Sequence, residues 1–251
     1  MNLRDCLSEI EAAAVRGWPA LETARFSGWV WRHSSGGSTR ANSVAALEFA
    51  GPDLDRAIAA VEVHCRTRGL PVCFTVSDVS QPTGLDAALQ ARGYLRGDTH
   101  MTMAKHVSAP PVVPADVLVS TVPSAEWMAV YLSGLSDSRQ AAAPHILERL
   151  PPGAKFISAL ADGRVATSGL TIGDGALASV QCMATRPDAQ RRGGAQRVLQ
   201  MIEHVAARDG RHALYLQTAE NNLAARALYA RMGFADVGHY HTRTLAVALN
   251  P

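Results

Sequence analysis

With 251 residues, 47% of them hydrophobic, and a formal charge of only +2, the chain is long enough for one large domain or two small ones, and too mildly charged for a nucleic-acid or membrane-surface binder. Four cysteines, Cys6, Cys65, Cys73 and Cys182, show no C-x-x-C and no metal-ligand spacing, and read as buried thiols of a reducing compartment. No apolar run approaches the roughly 18 residues of a membrane span, and the amino terminus lacks a basic-then-apolar signal pattern, so the expected location is the cytoplasm.

Leu3, Leu7, Ile10 and Ala14 recur at three- and four-residue steps and predict an amphipathic helix over 2–16, ending before Gly17-Trp18-Pro19. Residues 26–33 read as a strand, Ser34 to Ser38 as a turn, and 42–48 as a second strand. Asp53 caps a helix running to Arg68, 71–76 is a short buried strand, Gly93 stops a helix over 85–92, and 99–104 alternates as a strand. Lys105 to Pro114 has linker composition, with Ser108, Pro110, Pro111 and Pro114. A semi-rigid Pro-rich linker over 107–116 is thus expected between an N-terminal domain, 1–106, and a C-terminal one, 117–251.

The second part starts with a strand at Val117 and continues with helices over 124–133 and 144–150 and a hairpin of 155–160 with 165–172 around Asp162-Gly163. One strand over 175–184, a helix over 197–208, a strand over 212–218, a helix over 222–232 and a strand over 237–247 complete it. That order predicts α/β architecture with an α+β-like mixed sheet, and not a doubly wound one.

Met183 to Val198 carries the strongest local signal. An apolar strand passes Pro187, meets Gly193 and Gly194, and opens a helix with Val198, Leu199, Ile202 and Val205 on one face. The first turn of a helix leaves backbone N–H groups without partners and adds positive potential, so strand, glycine loop and helix start form an anion cradle. Arg191, Arg192 and Arg197 add charge. No Lys-Ser/Thr pair follows the glycines and no third glycine is present, which excludes the nucleotide-triphosphate loop and the dinucleotide fingerprint.

Gln190-x-x-Gly193-x-Ala195 instead resembles the Q/R-x-x-G-x-G/A pyrophosphate signature of the GNAT superfamily of N-acetyltransferases, and Asn222-x-x-Ala225-x-x-Leu228-Tyr229-x-x-x-Gly233-Phe234 resembles its second signature. The resemblance covers about 117–249. It implies that Met183, Ala184 and Thr185 pair with the pantetheine arm of acetyl-CoA, that the amides of Arg191, Arg192, Gly193, Gly194, Ala195 and Gln196, following Gln190, hold the pyrophosphate, that Asn222 contacts the cofactor, and that Tyr229 is the general acid. Asn222 also suits an N-cap.

A phenol near pKa 10 donating to a thiolate whose acid lies near 8.5 is only about 1.5 units uphill, a modest demand on general acid catalysis. Many family members carry a Glu on the strand before the loop, where this chain has Gln181 and Cys182, so proton removal is expected through water, with Glu220 at the end of the next strand as the best nearby carboxylate, a residue that equally suits a solvated helix start. A Lys-like amine costs roughly 4–5 kcal/mol to deprotonate at pH 7 and an α-amine about 1, which favours an α-amine acceptor. Trp127, Tyr131 and Arg139 on one wall, and Gln181 and Tyr240 on others, are the substrate candidates; the alternation His239-Tyr240-His241 is not taken as a metal site.

A duplication joins the halves. Glu62…Gly69…Phe74-Thr75…Ala88-Leu89-Gln90-Ala91-Arg92-Gly93-Tyr94 matches Glu203…Gly210…Tyr215-Leu216…Ala227-Leu228-Tyr229-Ala230-Arg231-Met232-Gly233-Phe234, with one residue inserted at Met232. Pro52 to Glu62 spans 10 positions and Pro187 to Glu203 spans 16, a difference of about one glycine loop. The expectation is two GNAT-like acyl-CoA N-acyltransferase domains in tandem, the first degenerate and unable to bind CoA, covering or shaping the acceptor pocket. The expected protein moves acetyl from acetyl-CoA to a small-molecule primary amine in a ternary complex, without metal, nucleic acid or membrane, as a monomer or homodimer. Two rivals stay open: a sensor that binds acetyl-CoA or an amino acid without turnover, and a transferase acting on protein N-termini or lysines.

Overall fold

The computed structural model describes residues 2–108, 113 and 115–245. Residues 109–112 and 114 of the expected linker, and 246–247 of the expected last strand, lie outside the described residues. A 3-10 turn (Leu3–Cys6) runs into α1 (Leu7–Arg16), followed by β1 (Glu22–Phe26), β2 (Trp29–His33), β3 (Val44–Ala45), α2 (Leu54–Arg66), β4 (Val72–Ser77), α3 (Leu85–Ala91) and β5 (Leu95–His106). The second half gives β6 (Val117–Ser120), α4 (Ala125–Ser133), α5 (Asp137–Leu147), β7 (Lys155–Ala161), β8 (Arg164–Thr171), β9 (Gly173–Asp174), β10 (Leu177–Ser179), β11 (Gln181–Thr185), α6 (Gly194–Arg208), β12 (Ala213–Ala219), α7 (Leu223–Arg231) and β13 (Ala235–Leu245).

The run strand, helix, strand, helix, strand from β3 to β5 recurs from β10 to β13, with the first strand there broken into β10 and β11. In each run the strands that flank the first helix within the large sheet are parallel neighbours, β3 with β4 and, with β11 leaving for the other sheet, β10 with β12, which requires the crossover that α2 and α6 supply. The apolar faces of those helices fill two cores: Ile58 and Val61 against Trp29, Phe74 and Leu89, and Val198, Leu199 and Ile202 against Ile157, Leu214 and Leu216. Fully burying such a side chain is worth about 1.5–3 kcal/mol, so each half has its own packed centre. The helix α1 belongs to the second half in space, with Leu7 and Ile10 against Leu177, Tyr215 and Val237.

Among the described residues one sheet runs β1-β2-β3-β4-β13-β5-β12-β10-β9 and another β11-β8-β7-β6. The closing strands are exchanged. β5 of the first copy lies antiparallel to β12 of the second, and β13 of the second lies antiparallel to β4 of the first. β5 and β13 also pair with each other at the centre. Arg243 on β13 seals the exchange, donating from Nε to Asp86 Oδ1 at 2.7 Å and from Nη2 to Oδ2 at 2.9 Å, while His241 Nε2 lies 2.7 Å from Asp86 Oδ1.

Four expectations need correction. The strand over 26–33 is a hairpin, because Ser27 and Gly28, with φ of 49° and 93°, form a tight turn between β1 and β2. The second strand shrinks to Val44–Ala45 behind a 3-10 turn over Thr39–Asn42. The helix expected to begin at Pro144 begins at Asp137 and holds Pro144 inside: burial of Ala142, Ala143, Ile146 and Leu147 outweighs the one helical donor that proline removes. The strand over 175–184 is two strands in different sheets, β10 and β11, parted at Val180.

Candidate active site

That parting makes the site. The last link between the parallel strands is the bond from Val180 N to Tyr215 O, 2.8 Å. Beyond it β11 leaves with β8 while β12 stays with β5. Cys182 sits at φ +52°, a left-handed conformation uncommon for a non-glycine residue, where the register with β8 slips between Gln181 and Ala184. The bulge swings β11 away, and a cavity of about 480 Å³ opens between the diverging strands.

Tyr131, Arg139, Gln181, Met183, Asn222, Tyr229 and Tyr240 all line this cavity. Ala184 and Thr185 do not line it; they pair with Ser168 and Thr167 of β8. Trp127 also stays out, being fully buried, with Nε1 donating to Ile157 O at 3.0 Å and Gly169 O at 3.1 Å. Its place is in the core that supports Tyr131 and Phe156. Glu220 is exposed at the end of β12 and is not among the lining residues.

The glycine loop, Gln190 to Gln196, lies at the start of α6. Gly193 takes φ +76° and caps the helix with no side chain to occupy the N-terminal amides. The N–H groups of Arg191 to Gln196 have no hydrogen-bond acceptor among the described residues. Gly194 is obligatory for a different reason: a Cβ there would stand 2.3 Å from Thr167 Oγ1, so only glycine lets α6 approach β8. At the equivalent place in the first copy, Asp53 caps α2 and accepts from Arg56 N at 3.2 Å. One copy therefore offers free amides to an anion, and the other fills that place with its own carboxylate.

Tyr229 reaches the cavity from α7, only 8% exposed, and its hydroxyl has no hydrogen-bond partner among the described residues. Burial pushes it up to about 12, so it stays protonated at neutral pH. Asn222 performs its capping role, Oδ1 accepting from Ala225 N at 3.2 Å, and still lines the cavity. Gln181 donates to Gly17 O and Ser179 Oγ, while its buried Oε1 has no partner. Burial also raises the Cys182 thiol to about 12, which keeps it a thiol.

Much of the opposite wall escapes sequence reasoning, because it comes from the first half. Trp18, Gly37, Ser38, Thr39, Arg40 and His100 all line the cavity. Arg40 Nη1 donates to Gln217 Oε1, and Gln217 Nε2 donates to both oxygens of Glu11, 3.0 Å each. Thr102 Oγ1 donates to Glu11 Oε1 at 2.6 Å. Desolvation holds the Glu11 carboxyl above its ordinary value even against those donors. No local signal could have found Arg40, which sits in a Ser/Gly-rich loop that reads as a plain turn.

A bulged strand parts from its parallel neighbour ahead of a glycine-started helix, in a fold that is that of the GCN5-related N-acetyltransferases in a tandem arrangement. The family model described as "Probable histone acetyltransferase Rv0428c C-terminal" matches residues 7–245, and the chain belongs to that family. The chain is 29% identical over 247 residues to the "Uncharacterized N-acetyltransferase YobR" of Bacillus subtilis (strain 168), covering 95% of this chain and 98% of that protein. Its fold is similar to a GCN5-related N-acetyltransferase from Kribbella flavida (TM-score 0.69, 15% identity, 94% of each chain). It is also similar to a tandem GNAT protein from the clavulanic acid biosynthesis pathway (TM-score 0.64, 16% identity, 98% of this chain and 89% of that one). The protein is an acetyl-CoA-dependent N-acetyltransferase.

Proposed function

We propose that the second copy transfers acetyl directly from acetyl-CoA to a small primary amine, an α-amine of amino-acid type, with both substrates bound in one cleft. The observation that carries this reading is the hydroxyl of the buried Tyr229, which lines the cavity where β11 and β12 part and has no hydrogen-bond partner among the described residues. The free amides of Arg191 to Gln196 suit a pyrophosphate, and Met183 and Asn222 suit the arm that leads from it into the cavity.

In this mechanism the amine attacks the thioester carbonyl, the C–S bond breaks, and Tyr229 stabilises the departing thiolate. Full proton transfer from a phenol at about 12 to a thiolate near 8.5 is about 3.5 units, or roughly 5 kcal/mol, uphill. That is steeper than the sequence alone suggests, so Tyr229 acts as a hydrogen-bond donor to the developing charge, and the proton passes onward from the amine or solvent.

Among the described residues no Asp or Glu lines the cavity, so no carboxylate takes the amine's proton directly; it leaves to water, with Glu220 outside the lining as a relay at most. Arg40 and Arg139 favour the neutral form of a bound amine over the ammonium. The family's description names a probable histone acetyltransferase, but a lysine ammonium would enter this cavity against two guanidinium groups and no carboxylate. The test is Tyr229→Phe: turnover should fall at least tenfold while acetyl-CoA affinity holds, and unchanged turnover removes Tyr229 from the mechanism.

A further inference from the structure

We infer that the acceptor amine carries a carboxylate, and that Arg40 of the first copy, with Arg139 lining the same cavity, is the group that binds it. This inference rests on the transferase reading above and specifies its substrate class.

The loop holding Arg40 is built, not loose. Asn42 Nδ2 donates to Gly36 O at 2.7 Å and Ser38 O at 3.0 Å, Asn42 Oδ1 accepts from Ser34 N at 2.8 Å, and Ser38 Oγ accepts from Trp18 Nε1 at 3.2 Å. The loop lies directly on α5, which carries Arg139: a Cβ at Gly36 would stand 3.2 Å from Ser138 O and one at Gly37 3.1 Å from Ala142 Cβ. Two arginines on abutting elements thus open on the same cavity.

Arg40 is half-buried, yet it forms no ion pair among the described residues; its one side-chain bond is Nη1 to Gln217 Oε1, 2.6 Å. Gln217 is itself locked. Both Glu11 oxygens take its Nε2, which turns the amide so that its carbonyl oxygen must face Arg40. The arrangement holds a guanidinium in place from behind with a neutral acceptor and leaves its other N–H groups without protein partners. Neutralisation by Glu11 is indirect, since a whole amide stands between. A half-buried guanidinium with unused donors is matched by a bidentate carboxylate. Among the described residues no Asp or Glu lines the cavity, so no lining carboxylate competes for the guanidinium.

The experiment compares free amino acids, their C-terminal carboxamides and lysine-containing peptides as acceptors for the full-length wild type, Arg40→Gln and Arg139→Gln, following CoA release. The same ligands are titrated into the CoA-loaded protein by calorimetry. The inference expects wild type to prefer acids to the matched carboxamides by at least tenfold in kcat/KM. Arg40→Gln should raise KM for the acids ten- to a hundredfold with a smaller change in kcat, change the carboxamides less than threefold, and keep acetyl-CoA affinity. Arg139→Gln should act in the same direction more weakly. If carboxamides or lysine peptides react as well as the acids, or if Arg40→Gln lowers both classes alike at an unchanged melting temperature, the inference is overturned while acetyl transfer stands. If no acceptor releases CoA, the transferase reading fails instead, and the calorimetric preference for acid over carboxamide still decides the carboxylate site.

Discussion

Arg40 Nη1 stands 2.6 Å from Gln217 Oε1, tying a loop of the first copy to a strand of the second across 177 positions of sequence. The bond makes the first copy part of the cavity wall, not an appendage. It also lets Glu11, behind Gln217, control a guanidinium that it does not touch.

Glu11→Gln gives the first prediction. A carboxyl raised by burial holds its proton more tightly in the folded than in the unfolded chain, so its contribution to stability is present at low pH and is lost as pH rises from about 4.3 through the folded value. Wild type should therefore lose melting temperature on going from pH 5 to pH 7 more steeply than Glu11→Gln. The variant also frees Gln217 to turn its nitrogen toward Arg40, so KM for the acceptor should rise. Scanning fluorimetry across that range measures the difference; parallel slopes contradict it.

Gly194→Ala places a Cβ 2.3 Å from Thr167 Oγ1, and Thr167 is fully buried. Overpacking of this kind costs about 1–3 kcal/mol, and here it also shifts the amides at the start of α6. Melting temperature and acetyl-CoA affinity should both fall, and the second change Thr167→Ala should restore much of each. Calorimetric titration of the single and double variants is the check.

The pH profile should lack a descending limb from Tyr229. With the phenol pushed up to about 12, its ionisation falls beyond the working range, so kcat/KM should climb with the deprotonation of the amine and hold level up to about pH 10. The same rise should persist, on a lower scale, in Tyr229→Phe. A basic limb that disappears in the phenylalanine variant would reverse the assignment.

Asp86→Asn tests the join between the copies. Hydrogen bonds from Arg243, then from His241, hold the Asp86 carboxyl down to about 2. A lowered carboxyl stabilises the fold above its unfolded value near 3.9, and that contribution fades as pH drops toward 2. Asp86 is 37% exposed, so after solvent screening the loss at neutral pH should be about 1 kcal/mol. Acid unfolding of the variant should begin at a higher pH than that of wild type, read by circular dichroism.

The features legible in the chain are the local ones. Gly193-Gly194 before an amphipathic run announces the α6 start, and Asn222 announces the α7 cap, because both need only a few adjacent residues. The repeat is legible because each copy keeps the same glycines at its helix ends. The break at Val180 is hidden, since the apolar run continues through two strands that go to different sheets. Glu11 resembles any solvated residue of an amphipathic helix until Thr102 and Gln217 close over it from far along the chain. The aromatic ring of Trp127 suggests a binding wall, and its indole nitrogen instead satisfies two core carbonyls.

The crossed closing strands set a timetable for biosynthesis. β4 ends at Ser77, but the segment that lies against it begins at Tyr240, so at about 5–20 residues per second the ribosome leaves that flank bare for roughly 8–30 s. Throughout that interval an unpaired row of peptide groups invites foreign partners. A chain cut short near its carboxyl end would thus be felt first in its amino-terminal half, as aggregation during synthesis.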